Sequence, residues 1–151
     1  IKNTQTGEFG IEGEVFIGIF DKYITLAVED DNLIYSKKCA AYLNELPESL
    51  LKELCEASIC YCNDFLEAIG EAVMVFEKAE DVLKHIYPSV LMVPFPDGIS
   101  EPIIHMELNC SWEEEHGMEW VIRGNKVLYV GAFNGENPLG DFSPKQRWNF
   151  A

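Results

Sequence analysis

The chain has 151 residues, of which 48% are hydrophobic and 25% charged, so it can bury the core of one domain without help from disulfides or metals. Its formal net charge of −15 makes direct binding to nucleic acids and to anionic membranes unfavourable. The same charge would attract a basic protein partner and speed its association.

The cysteine content and the first residues of the chain indicate in which cellular compartment the protein is expected. Five cysteines, an odd number without paired spacing, argue against a disulfide framework and indicate buried free thiols. No apolar run approaches the roughly 18 residues that cross a bilayer, and the first ten residues are too polar for a signal peptide. We therefore expect a cytoplasmic protein. The chain begins with Ile, which leaves open whether an N-terminal segment was removed.

Two strands are predicted near the start of the chain. Over 11–20, apolar residues alternate with polar and small ones, which is the period of a strand. The segment 23–29 shows the same alternation. The polar Asp21-Lys22 pair between them predicts an antiparallel hairpin, and residues 29–32 are predicted to close it as a loop.

Three helices are predicted next. Ser36 is a suitable N-cap for a short helix through Leu43, and Pro47 suits the first turn of a long amphipathic helix that stops at Gly70. A third, shorter helix is predicted over 78–86. The predicted apolar stripe of the long helix consists of Leu51, Leu54, Cys55, Ser58, Cys62, Phe65 and Ile69.

The remaining chain predicts further strands. The segment 90–96 is predicted to lie at a sheet edge, since its prolines cannot donate hydrogen bonds to a neighbour. Residues 103–112 alternate as a strand does, and 118–131 predict a hairpin with Gly124-Asn125 at its tip. The predicted register pairs Arg123 with Lys126, Ile122 with Val127, Trp120 with Tyr129, and Met118 with Gly131.

The order of these elements indicates the fold class. Strands, then helices, then strands predict an α+β fold, with an antiparallel β-sheet and about three helices packed on one face. We expect residues 1–151 to form a single domain. Its C-terminal segment 132–151, rich in Gly, Asn and Pro, is predicted to be irregular and to be pinned by Phe142, Trp148 and Phe150.

The segment NCSWEEEHGMEW, residues 109–120, carries the candidate site. Its binding candidates are Trp112, Glu113, Glu114, Glu115 and His116. One interpretation is a solvated acidic turn in which Gly117 takes a positive φ. The other is general acid–base catalysis by Glu115 and His116, both suitable residue types, although no nucleophile elbow accompanies them.

Metal and cofactor sites are not expected. The histidines His85, His105 and His116 lack the short spacing of a zinc site, and the acidic segment lacks the pattern of a calcium loop. No glycine-rich phosphate loop stands between a strand and a helix.

The stretch 108–131 resembles the end of a bacterial domain-of-unknown-function family with the motif Cys-x-Trp-(Asp/Glu)-x-Glu-His-Gly and a closing Val-Gly. The matching residues are Cys110, Trp112, Glu115, His116, Gly117, Val127, Val130 and Gly131. The chain departs from the motif at Glu113, where the family has Asp, and at the hairpin tip, which reads Gly-Asn in place of Asn-Gly. The resemblance implies no named activity. Small domains of this kind resemble immunity proteins of toxin systems.

Three functions are therefore open. The first is a non-enzymatic, immunity-like protein-binding module with a basic partner, which fits the charge and the lack of a catalytic constellation. The second is a hydrolase-like enzyme that uses Glu115 and His116. The third is a structural subunit. The oligomeric state stays undetermined, because fold and composition do not fix it.

Overall fold

The computed structural model describes residues 1–8, 10–29 and 33–151 and contains one seven-stranded sheet in which the strands follow chain order. Neighbouring strands are antiparallel except β3 and β4, which are parallel. The strands are β1 (Lys2–Gly7), β2 (Gly10–Ile17), β3 (Lys22–Val28), β4 (Ile86–Val93), β5 (Ile103–Cys110), β6 (Glu113–Arg123) and β7 (Lys126–Ala132). A parallel pair needs a long crossover, and the helical part of the chain provides it.

The helices are α1 (Leu33–Asn44) and α2 (Glu48–Ala68), with short 3₁₀ helices at Gly18–Phe20 and Ala79–His85. The α+β class is therefore confirmed. Helix α1 contacts β2 and β5, whereas α2 contacts β7 and the second 3₁₀ helix. Among the described residues, no helix combines the length and apolarity that crossing a membrane requires.

The N-terminal hairpin is confirmed, with two differences. Strand β2 ends at Ile17, because residues 18–20 form a 3₁₀ turn. Strand β1 was not predicted, since its six residues are polar or small, all exposed, and show no apolar alternation. The predicted loop 29–32 lies mostly outside the described residues, which omit 30–32.

Helix α1 begins before its predicted cap. Ser36 is fully buried inside the helix, so the prediction that it caps the N-terminus is wrong. Helix α2 follows Pro47 directly and ends in a Schellman motif, in which Gly70 has φ +75° and the amide of Glu71 donates to Leu66.

The core face of α2 is rotated from the predicted stripe. Leu51 and Phe65 are only partly buried, and Ile69 is exposed. The buried residues are Leu50, Leu54, Cys55, Ala57, Ser58, Tyr61, Cys62 and Leu66. The neighbours of the helix, β7 and the Ala79–His85 turn, set this orientation, and spacing alone does not reveal it.

Two further predictions need correction. The predicted third helix is a 3₁₀ helix that stops at His85, because Ile86 already begins β4. Strand β4 lies between β3 and β5 and is not an edge. Its Pro88 is accommodated at a register shift before Val90, so the missing amide does not break a continuous ladder.

The β6–β7 hairpin has the predicted tip, but its register changes within the strands. Arg123 pairs with Lys126 and Ile122 with Val127, as predicted. A bulge follows, and Trp120 therefore pairs with Val130 and Met118 with Ala132, not with Tyr129 and Gly131. The extra residue of a bulge displaces every later pair by one position.

Candidate functional site

The acidic segment forms the start of strand β6. The β5–β6 turn consists of Ser111 and Trp112, and Glu113 already pairs with Cys110. The next regular pair joins Leu108 to Met118, so residues 114–117 bulge out opposite Asn109. A turn was predicted at the acidic segment, but the turn precedes that segment. The acidic residues instead form a bulge within the hairpin.

Gly117 does take the positive φ that the sequence predicts, at +71°. A Cβ atom built on this glycine would lie 2.5 Å from the carbonyl oxygen of Leu108, a distance that no real side chain tolerates. Only glycine therefore fits the end of the bulge.

Glu113 organises the bulge through its carboxylate. It accepts hydrogen bonds from the amides of Glu115, at 3.0 Å, and His116, at 3.2 Å, and its Oε2 lies 2.9 Å from His116 Nδ1. The His116 side chain is 71% exposed. Glu114 and Glu115 are also exposed. The imidazole thus pairs with Glu113 rather than with the predicted partner Glu115, and it lies on the surface, outside the main cavity described below.

Trp112 and Cys110 belong to the core. Trp112 is buried and packs edge-on against Tyr61 of α2, with 5.8 Å between the ring centroids. Burial raises the pKa of the Cys110 thiol to about 12, so this group stays protonated and weakly nucleophilic at neutral pH. Of the five predicted binding residues, Trp112 is therefore the one that a partner cannot reach without unfolding.

A second histidine–glutamate pair is buried in the β5–β6 hairpin, farther from the turn than the bulge is. His105 of β5 and Glu119 of β6 are both buried, and His105 Nε2 lies 2.5 Å from Glu119 Oε2. The other acceptor positions are used by the amides of Asn134, at 2.8 Å from Oε1, and Glu136, at 2.9 Å from Oε2. The carboxyl group thus has three hydrogen-bond partners, which offset the cost of burying it.

Sequence reasoning missed this pair for a physical reason. On β5, His105 alternates with core residues and so reads as solvent-facing. The segment after β7 covers it, and Arg123 holds that segment by donating to the carbonyls of Pro138 and Gly140, each at 3.2 Å. The available signal was the alternation of β5 followed closely by β6, which predicts that the two strands pair, but an irregular covering segment has no sequence period.

His105 also lines the main cavity, whose volume is about 470 Å³. The cavity lies between the β1–β2 turn, the ends of β3 and β4, and residues 135–138. Cavities of this size accept small ligands or single side chains. Its apolar walls are Ile11, Ala27, Val28, Met92, Val93, Pro94 and Pro138, and its acidic side chains are Glu12, Glu29 and Glu136.

In the described part of the chain, no three His, Cys, Asp or Glu side chains are grouped closely enough to hold a metal ion.

Comparison with known proteins gives a family and no function. The model of a family described as a domain of unknown function, DUF6985, matches residues 2–138. Neither the curated proteins nor the solved structures gave a match to the chain. The matched range includes all seven strands, both helices and the buried His105–Glu119 pair. The chain therefore belongs to the DUF6985 family of domains of unknown function.

Proposed function

We propose that the protein is a non-enzymatic, immunity-like binding module whose partner is a basic protein. The observation that carries the proposal is an exposed sheet surface, here called the open face, that combines aromatic rings with carboxylates. It consists of Glu14, Phe16, Tyr23, Tyr87 and Glu107.

The strand registers assemble the open face. Phe16 lies opposite Tyr23, and Glu14 lies opposite Thr25, one step along the same face. The alternate residues of β2 and β3, such as Val15 and Ile24, point into the core. The aromatic side chains are therefore exposed by the geometry of the sheet and not by local disorder.

The aromatic groups of the open face are suited to a protein partner. Tyr23 is 48% exposed, Tyr87 47% and Phe16 39%. Phe16 and Tyr23 pack edge-to-face, with 5.4 Å between centroids, which fixes both rings before any partner arrives. Rigid aromatic rings give a large contact area at a low entropy cost, which is why they are frequent among residues that dominate binding energy.

The charge on this surface selects the kind of partner. Glu14 and Glu107 face the same side of the sheet, and the ammonium of Lys2 lies 3.8 Å from the centroid of Tyr23. The whole chain carries −15. A basic cleft of the kind that grips phosphates would be attracted to such a surface, with the fastest association at low salt.

The experiment is a binding titration against basic proteins encoded beside this one, each co-expressed and purified. We expect Tyr23→Ala to weaken binding by about 2 kcal/mol or more, as for a central aromatic residue, and Glu107→Gln to slow association. Glu67→Gln on the exposed side of α2 is the matched control and should change little. Loss of binding equal in all three variants, or no bound basic protein, would contradict the proposal.

The alternative is a hydrolase-like activity at the bulge. It is favoured by one observation, the 2.9 Å contact between His116 Nδ1 and Glu113 Oε2, since a carboxylate that holds an imidazole can prepare it as a base. Here Glu115 stands as the candidate second acid. His116→Ala would abolish such an activity and leave the fold intact, because the ring is exposed.

The predicted binding segment gives a further surface for comparison. Glu114, Glu115 and His116 are exposed on the bulge and are open to a partner. The double variant Glu114→Gln with Glu115→Gln removes two negative charges from the bulge. In the same titration, this variant distinguishes binding at the bulge from binding at the open face. Greater loss from the bulge variant than from Tyr23→Ala would move the binding site to the bulge.

A further inference from the structure

We infer that the main cavity binds a guanidinium or ammonium group carried on an aliphatic stem, such as the side chain of arginine or lysine. The inference rests on the proposed function in one respect only: under that function, the basic partner carries the cationic group. The chemistry follows from the lining residues themselves.

His105 supplies the first argument. Its Nε2 contacts the Glu119 carboxylate, so Nδ1 is the ring nitrogen left for a ligand. His105 is only 6% exposed, and its Nδ1 has no hydrogen-bond partner among the described residues. Nδ1 is nevertheless not one of the fully buried atoms without a partner, so it keeps some accessible surface. The cavity that the ring lines is therefore where a ligand can reach this atom.

The carboxylates supply the second argument. Glu12, Glu29 and Glu136 line the cavity, and no Lys or Arg is among its described lining residues. Glu29 accepts the amide of Phe95 at 3.0 Å, and Glu136 accepts the side-chain amide of Asn134 at 3.2 Å. Each carboxylate has further lone pairs, so the three glutamates offer acceptors to a ligand.

The walls supply the third argument. Ile11, Val28 and Met92 give an apolar lining beside the carboxylates. A ligand with a methylene stem and a charged head places each part against matching groups, as Lys and Arg do elsewhere in proteins. Guanidinium has five donors in a planar fork and suits several acceptors at once. A free carboxylate on the ligand would be repelled by the same glutamates, which favours a capped residue over a free amino acid.

Two sources share this chemistry, a free alkylguanidine and an arginine or lysine side chain of a protein. The test uses calorimetric titration with three probes: butylguanidine, N-acetyl-arginine amide, and N-acetyl-citrulline amide, which has nearly the same shape and no charge. We expect the arginine probe to bind at least about tenfold more tightly than the citrulline probe. Tighter binding of the arginine probe than of butylguanidine assigns the site to a protein side chain, and the reverse assigns it to a free cation.

Variants and a spectroscopic readout locate the binding. Glu12→Gln and Glu136→Gln should each weaken the arginine probe about tenfold, whereas Glu67→Gln on α2 should not. The NMR signal of His105 Nδ1 should shift on addition of the probe. Equal binding of the citrulline probe, no binding of either cation, or binding that leaves the His105 signal unchanged would each overturn the inference.

The two proposals fail in distinguishable ways. If the cavity does not bind cations but the partner still depends on Tyr23, only the present inference is wrong. If the arginine probe binds as expected while no basic protein does, the open-face proposal is wrong and the inference about the cavity stands.

Discussion

At the scale of single residues, Glu119 shows how a charged group is kept inside this protein. Its neighbour across the β5–β6 ladder is another glutamate, Glu107, and like charges directly opposite are unfavourable. The structure offsets this by giving Glu119 the His105 imidazole and two main-chain amides from the covering segment. One side chain therefore holds the C-terminal segment onto the sheet and orients the histidine of the cavity.

Replacement of this carboxylate tests that role. In Glu119→Gln, the side-chain NH₂ replaces one of two oxygens that both accept hydrogen bonds, so a donor faces a donor in a buried place. We expect the free energy of unfolding to fall by about 2–3 kcal/mol, measured by urea denaturation. The control is Glu107→Gln on the partly buried neighbour, which should cost less than about 1 kcal/mol. Equal losses in both variants would contradict this account of Glu119.

At the scale of elements, the bulge at the start of β6 converts an acidic strand into a fixed surface. Glu113 holds two amides of the bulge, and Gly117 ends it with a backbone conformation and a close approach to β5 that no other residue allows. The bulge is thus determined by its first and last residues, and the side chains between them are free to face solvent.

Gly117→Ala should therefore be strongly destabilising. The new methyl would meet the Leu108 carbonyl oxygen at 2.5 Å, in addition to the cost of a positive φ, and we expect a loss of about 3 kcal/mol or more. Gly70→Ala is the matched control, because Gly70 has a similar φ of +75° with nothing near its Cβ position. Its cost, about 1 kcal/mol, isolates the conformational part. Similar thermal midpoints for both variants would exclude the proposed clash.

Elements with a strong period were predictable, and elements fixed by distant contacts were not. The Asp21-Lys22 break and the Gly124-Asn125 tip identified two hairpins, and the spacing from Leu51 to Phe65 identified a long helix. The polar strand β1 and the rotation of α2 depend on neighbours that local patterns do not contain. Likewise His116 was visible within a compact motif, whereas the His105–Glu119 pair needed the covering segment to become a site.

At the scale of the whole molecule, buried thiols and phenols make stability depend on alkaline pH. Burial raises the pKa of Cys55 to about 12 and that of Cys62 to about 11, and it raises the pKa of Tyr61 above its usual value. In the unfolded chain, thiols lose their protons near pH 9. Above that pH the unfolded state binds fewer protons than the folded state, so the stability present below pH 9 is lost as the pH rises.

We therefore expect the urea midpoint to fall between pH 8 and pH 10.5, with each buried thiol contributing about 2 kcal/mol to the loss. Cys62→Ala should reduce the dependence on pH, whatever it does to stability at pH 8. Cys60→Ala is the control, because Cys60 is exposed in the same helix. A pH dependence unchanged in Cys62→Ala, or reduced equally in Cys60→Ala, would show that buried thiols are not its source.

The parallel junction between β3 and β4 has a consequence for the order in which the chain folds. Strands β4 to β7 pair with sequence neighbours, as do β1 to β3, so each group forms through short-range closure. Joining the groups must bring Val28 to Val93 across both α-helices, and the entropy lost in closing that long loop falls on this one step. We therefore expect the docking of the two half-sheets to limit the folding rate, and the same step completes the cavity, which takes walls from both.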